Sequence, residues 1–257
     1  MAKILIKSEE EVALMRESCR IVAEVLRLLA LSVMPGVTTG KLDRMAEEYV
    51  QSQRAEPAFK GYGNDKRNLF PASICASIDD EVVHGIPDGR ELHEGEIISI
   101  DVGVKKNGYY GDGAWTFPVG KVSPEKQRLM RVTEEALYKG ISWARPGNCV
   151  EDISEAVQAF VEAEGFSVVK ELVGHGVGKE LHEEPAVPNF VTSPRRGSGV
   201  KLRPGMTIAI EPMVNAGTDS VKVHSDGWTV MTGDGRPSAH FEHTILITGG
   251  DPEILTK

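Results

Sequence analysis

Apolar residues at Val12, Met15, Cys19, Val22, Leu26 and Leu29 recur at alternating steps of three and four, which puts all six on one face of a helix. Pro35-Gly36 stops that helix. After Thr38 and Thr39 the spacing predicts a second helix, with Leu42, Met45, Ala46, Tyr49 and Val50 as its buried stripe. This stripe returns 111 residues later. Beyond Pro146-Gly147 and Asn148, the predicted cap, Ile153, Ala156, Val157, Phe160 and Val161 match it position for position. The strand pattern repeats as well: Gly95-Glu-Ile-Ile-Ser-Ile-Asp101 aligns with Gly205-Met-Thr-Ile-Ala-Ile-Glu211 at an offset of 110, and each segment ends in a carboxylate. Alternation sends Ile98 and Ile100 to one face and Ser99 and Asp101 to the other, and it separates Ile208 and Ile210 from Ala209 and Glu211 in the same way. Each part also carries a His-Gly dipeptide, His84-Gly85 and His175-Gly176. Two helices followed by antiparallel strands, repeated once, predict an α+β fold whose curved antiparallel sheet carries helices on its outer side. No linker separates the repeats, so residues 1–257 are expected to form one domain with pseudo-symmetric halves of about 1–120 and 121–257.

Composition narrows the classes of function. A chain of 257 residues that is 40% hydrophobic can bury a sizeable core. Its net charge of −9 repels a phosphate backbone, so direct nucleic-acid binding is not expected. The longest apolar stretch, Ile21 to Val33, is interrupted by Glu24 and Arg27 and is too short to span a bilayer. The amino terminus carries no signal-type run, which predicts a cytoplasmic protein without a membrane partner. Cys19, Cys75 and Cys149 form no CxxC pair and are expected to be reduced, buried thiols.

The chemistry starts at Asn107-Gly108, which supplies the two positive φ angles of a type I′ hairpin turn. With those two residues as the loop, Lys106 opposes Tyr109, Gly103 opposes Asp112 and Asp101 opposes Ala114. Asp101 and Asp112 then share a face as diagonal neighbours, with Cβ atoms roughly 7 Å apart. Two carboxylates so close repel unless a proton or cation lies between them. Glu211 adds a third carboxylate from the equivalent strand end, Glu242 a fourth at the start of an apolar strand, and His175 one imidazole. Alone, Asp101 or Asp112 reads as a solvated or capping residue, His175 as a turn residue, and Tyr62, Cys75 and Trp228 as core. The combination is less ordinary. One nitrogen and four carboxylates suit Mn(II), Fe(II), Co(II) or Zn(II), and four anions exceed what one ion needs, so two divalent ions are expected. A pair of ions about 3.5 to 4 Å apart lowers the pKa of water held between them towards ~7.

These residues lie in motifs that resemble the methionine aminopeptidase family over nearly the whole chain: Val83-His-Gly-Ile-Pro87, Ile100-Asp-Val-Gly103, Gly111-Asp112, Gly174-His-Gly-Val-Gly178, His182-Glu-Glu-Pro185, Ile210-Glu-Pro212, Trp228-Thr-Val230 and Phe241-Glu-His-Thr244. The resemblance implies the duplicated pita-bread fold and two-metal hydrolysis of the first peptide bond, which removes the initiator methionine when the second residue is small. It implies metal ligation by Asp101, Asp112, His175, Glu211 and Glu242, with Asp112 and Glu242 as bridges, Asp101 on one ion, and His175 with Glu211 on the other. His182 is implied near the scissile carbonyl oxygen and His84 near the amide nitrogen, with Glu211 as proton acceptor. Tyr62, Cys75 and Trp228 are implied to line the methionine pocket. Substrates would be the amino termini of nascent polypeptides at the ribosome, and a monomer is the expectation. Only 36 residues separate His175 from Glu211, which leaves no room for the insertion of type II members and favours the bacterial type I form.

The chain departs from the family's usual pattern at four places. Leu181 stands where an aromatic is common, Val83 where Cys is frequent and His240 where Gln is usual, while residues 63–70 make a longer rim loop whose Lys66 and Arg67 are either solvated or touch a partner. Two other readings compete. Prolidases and aminopeptidases P share the ligands, but they resemble chains with a large extra amino-terminal domain, whereas here the first helix begins within ten residues. A metal-free binding module of the same fold would have lost ligands, and all five positions are filled.

Overall fold

The computed structural model describes residues 4–191 and 199–257. The first run of elements is α1 (Glu9–Ala30), α2 (Thr39–Ser52), β1 (Glu56–Pro57), β2 (Cys75–Ile78), β3 (Glu81–Val83), β4 (Ile97–Lys106) and β5 (Tyr109–Pro118). It continues with α3 (Pro124–Trp143), α4 (Val150–Ala163), β6 (Ser167–Val168), β7 (Gly174–Gly176), β8 (Glu183–Val187) and β9 (Thr207–Ile210). The last strands are β10 (Met213–Asn215), β11 (Val221–Val223), β12 (Val230–Thr232), β13 (Ser238–His240), β14 (His243–Leu246) and β15 (Glu253–Ile254).

Local chemistry explains the helix starts. Ser8 accepts from the Glu11 N–H while the Glu11 carboxylate takes the Ser8 N–H, closing a capping box in front of the stripe that begins at Val12. Thr38 caps α2 and Ser123 caps α3, where Pro124 occupies the first turn without losing a helical bond. The predicted cap of α4 is corrected by one residue. Asn148 donates from Nδ2 to the Trp143 carbonyl at 2.9 Å, at the end of α3, and is therefore engaged backwards. Cys149 takes the cap position in extended geometry, and its N–H donates to Asp152 Oδ2 at 2.7 Å.

The strand pairings among the described residues are antiparallel. β4 carries β5 on one edge and β2 and β1 on the other, while β15-β14-β9-β7-β8 form a five-stranded sheet. One core packs Ile98, Ile100, Val102 and Val104 of β4 under α1 and α2. The other packs Ile208 and Ile210 of β9 under α3 and α4. In both, the isoleucines face helices and the carboxylate faces inward, as alternation requires. Trp115 packs against both cores and so ties the two sheets together. The result is a mixed α+β fold of curved antiparallel sheets flanked by helices, and no helix among the described residues is long and apolar enough to cross a membrane.

Candidate active site

Asn107 (φ 52°) and Gly108 (φ 81°) make the β4–β5 turn, and the register is the one the turn predicts: Lys106 pairs with Tyr109, Gly103 with Asp112 and Asp101 with Ala114. In a two-residue hairpin of this register the Gly103–Asp112 pair does not exchange backbone bonds, so the N–H and C=O of Asp112 point away from β4. Thr244 of β14 satisfies both. Its Oγ1 accepts from the Asp112 N–H at 3.1 Å and donates to the Asp112 carbonyl at 2.8 Å. Two residues along, the Glu242 N–H donates to the Ala114 carbonyl at 2.8 Å. These bonds pin the start of β14 against β5 and bring Glu242 beside Asp112. β14 pairs with β9 through His243 and Ile210, which sets Glu211, one residue beyond β9, next to Glu242.

His175 enters from β7, threaded between β8 and β9. A Cβ on Gly174 would stand 2.4 Å from the Ala209 carbonyl oxygen and one on Gly176 would stand 2.4 Å from that of Glu184, so only bare backbone fits on either side of the imidazole. His175 Nδ1 lies 2.8 Å from the Gly176 carbonyl oxygen. An oxygen acceptor there requires the proton on Nδ1, which leaves the Nε2 lone pair free. That atom lies 3.5 Å from Glu211 Oε1 and 3.8 Å from Asp112 Oδ2.

Asp112, His175 and Glu242 form one triad with ligand atoms all within 4.8 Å of one another, and Glu211, His240 and Glu242 form a second. Glu242 belongs to both, so the two clusters are contiguous and suited to divalent cations. Asp101 falls outside either triad but lies on the same cavity wall. Burial raises the Asp101 carboxyl to about 7. Burial, followed by repulsion from the neighbouring carboxylates, pushes Asp112, Glu211 and Glu242 well above the ordinary carboxylate range. Burial also lowers His175 to about 3, so it offers a neutral nitrogen at physiological pH. Asp101 Oδ1, Glu242 Oε1 and His240 Nε2 are buried without a hydrogen-bond partner. Polar atoms left unsatisfied at this depth, beside mutually repelling carboxylates, are what a bound cation accommodates.

Above these groups opens a cavity of about 170 Å³. Tyr62, Cys75 and Trp228 line it with Phe59, Phe70 and Leu181. Cys75, like Cys19 and Cys149, is a free, buried thiol. Two further imidazoles reach in. His84 follows β3 in left-handed backbone geometry (φ 59°), and its ring lies edge-on to Trp228 with centroids 6.4 Å apart. The His182 ring stands 4.2 Å from that of His175, and its Nδ1 is 2.7 Å from the Tyr62 hydroxyl. Burial lowers His84 to about 4 and lowers His182, so both are neutral.

Against known proteins, the model of metallopeptidase family M24 matches residues 13–249. A methionine aminopeptidase of Bacillus subtilis is 51% identical over 254 residues, covering 99% of each chain. The chain belongs to metallopeptidase family M24. Among solved structures, the methionine aminopeptidase of Thermotoga maritima superposes with a TM-score of 0.95 at 45% identity over 99% of this chain and 100% of that one. The prolidase of Pyrococcus horikoshii shares the fold at a TM-score of 0.77, but with 23% identity and only 63% of that chain covered.

This M24 site contains residues that no sequence motif marks. Phe59 and Phe70 complete the apolar wall, and Phe70 packs edge-on to Trp228 at 5.3 Å. The long rim loop turns out to brace Trp228: the indole Nε1 donates to the Asn68 carbonyl at 3.1 Å, and Asn68 Nδ2 donates to the Asp226 carbonyl at 3.1 Å. Arg67 is exposed and paired with Asp65 within the loop. In the sequence His240 stands out only as a departure from the usual pattern. Its place in the second triad follows from β13 lying next to β10, a pairing that a three-residue strand does not advertise.

Proposed function

We propose that this chain is a methionine aminopeptidase of the bacterial type, removing the initiator methionine from nascent polypeptides in the cytoplasm by metal-dependent hydrolysis of the first peptide bond. The observation that carries the reading is the pair of contiguous acidic and histidine triads on the floor of a cavity whose upper wall is aromatic and apolar. In this reading Asp101, Asp112, His175, Glu211 and Glu242 would hold two divalent ions. Bound ions of this kind polarise a carbonyl oxygen and lower the pKa of water towards ~7. Tyr62, Cys75 and Trp228 receive the thioether, whose unbranched, polarizable chain suits an aromatic-lined slot. With the Tyr62 hydroxyl donating to His182 Nδ1, the neutral imidazole carries its proton on Nε2, available to the oxyanion that develops on the scissile carbonyl. Its partner, His84, faces the same space from the Trp228 side and takes the amide nitrogen. Glu211 accepts the proton released during attack.

The reading requires stoichiometric divalent metal in active protein, followed by cleavage of Met-Ala peptides and not of Ala-Pro peptides. Asp112→Ala and Glu242→Ala are expected to abolish both ion retention and turnover. A protein that is active after exhaustive chelation, or that prefers Ala-Pro, would overturn it.

A further inference from the structure

We propose that His240 is an additional metal ligand, so that this site holds its ions with two imidazoles, His175 on one side of Glu211 and His240 on the other. The inference rests on reading the site as a divalent metal centre and extends it to a residue that the family's usual ligand set does not contain. His240 ends β13 opposite Met213 of β10. Its backbone is fixed at both ends by one hydroxyl: its N–H donates to Thr116 Oγ1 at 2.9 Å, and its carbonyl accepts from the same oxygen at 2.8 Å. The side chain is 2% exposed, and Nε2 has no hydrogen-bond partner. That atom stands 3.7 Å from Glu211 Oε2, too far for a hydrogen bond, so it does not serve to orient the carboxylate. The opposite oxygen, Glu211 Oε1, is 3.5 Å from His175 Nε2, so the two imidazoles flank one carboxylate at nearly equal range. Atoms about 2.1 Å from a common ion stand about 3 to 4 Å from one another, and both spacings lie in that interval. Glu242 completes the His240 triad within 4.8 Å.

The side-chain chemistry gives the consequence. A glutamine amide would offer a hard oxygen or a hydrogen-bond donor here, whereas imidazole supplies a borderline nitrogen lone pair that favours Zn(II), Co(II) and Fe(II) over Mn(II). His240 therefore biases the metal preference of this chain towards the later transition ions.

X-ray absorption spectroscopy of the protein loaded with Co(II) or Zn(II), on the wild type, H240Q and H240A, decides the ligation. The expected result is histidine scattering equivalent to two imidazoles per ion pair in the wild type and one in either variant. Competitive titration is expected to show the Zn(II)-over-Mn(II) affinity ratio falling roughly tenfold or more in H240Q. A wild type that binds two ions through a single imidazole would overturn this inference while leaving the metallopeptidase reading intact; a wild type that binds no ion would overturn that reading itself. An unchanged affinity ratio with a reduced imidazole count would overturn the selectivity and keep the ligation.

Discussion

Thr244→Val tests how the two sheets are locked together at the site. Thr244 is fully buried, and valine matches its shape, so the substitution removes the hydroxyl with little change in packing. That hydroxyl is the partner of both the N–H and the C=O of buried Asp112. Stranding a buried backbone group costs about 1–3 kcal/mol, so losing two partners at once is expected to cost about 2–6 kcal/mol. Thr244→Ser keeps the hydroxyl and gives up one methyl, a loss of about 1 kcal/mol. Urea unfolding of chelated protein should therefore rank wild type above Ser and Ser well above Val. Calorimetric titration should show weaker binding of divalent ions in the valine variant, because Asp112 is no longer held against Glu242. A valine variant as stable as wild type, with equal metal affinity, would refute the argument. Lost stability with intact metal affinity would show that Thr244 serves the fold and does not place Asp112.

Stability of chelated protein should fall as pH rises. Asp101 sits at about 7 in the fold against an ordinary value of 3.8, so the folded state holds the extra proton; the stabilisation is complete at low pH and is lost as pH climbs through the folded value. Melting between about pH 5 and about pH 8, with and without Mn(II) or Co(II), checks this, and a flat profile without metal would contradict it. His182→Ala should lower kcat for a Met-Ala peptide by roughly 10² with metal content retained, since it removes an oxyanion donor. Tyr62→Phe should cost about fivefold, the worth of one hydrogen bond of about 1 kcal/mol, and an equal loss in the two variants would count against the assigned tautomer. Lys7→Met should destabilise by up to about 3–5 kcal/mol, because it removes the ammonium 2.6 Å from the buried Glu183 carboxylate and leaves only backbone N–H donors to it; an unchanged unfolding midpoint would remove that pair from the account.

Several features follow from local rules and were therefore legible in the chain. The stripe from Val12 to Leu29 specifies a helix because period and burial agree over several turns, and α1 buries those positions. Asn107-Gly108 fixes a register because two positive φ angles in succession admit one kind of turn, and every pair from Lys106–Tyr109 back to Ile97–Pro118 follows from it. The sequence does not fix the α4 cap to the residue, because Asn148 and Cys149 both stand where a helix can begin, and the choice depends on Trp143, which offers Asn148 a carbonyl from another helix.

By itself the sequence determined the helices, the hairpin, the acidic residues and the family, since each depends on neighbours in the chain or on motifs of fixed spacing. Tertiary structure decided what those residues do to one another. Thr244 reaches across to Asp112 and a rim loop props Trp228, both through contacts between segments distant in the chain. His240 changed most: a variant letter in the chain became a buried, unpartnered nitrogen 3.7 Å from Glu211. The physical reason is that a side chain's type is written in the sequence, whereas burial, lone-pair direction and the company of other charges exist only once separate strands have met.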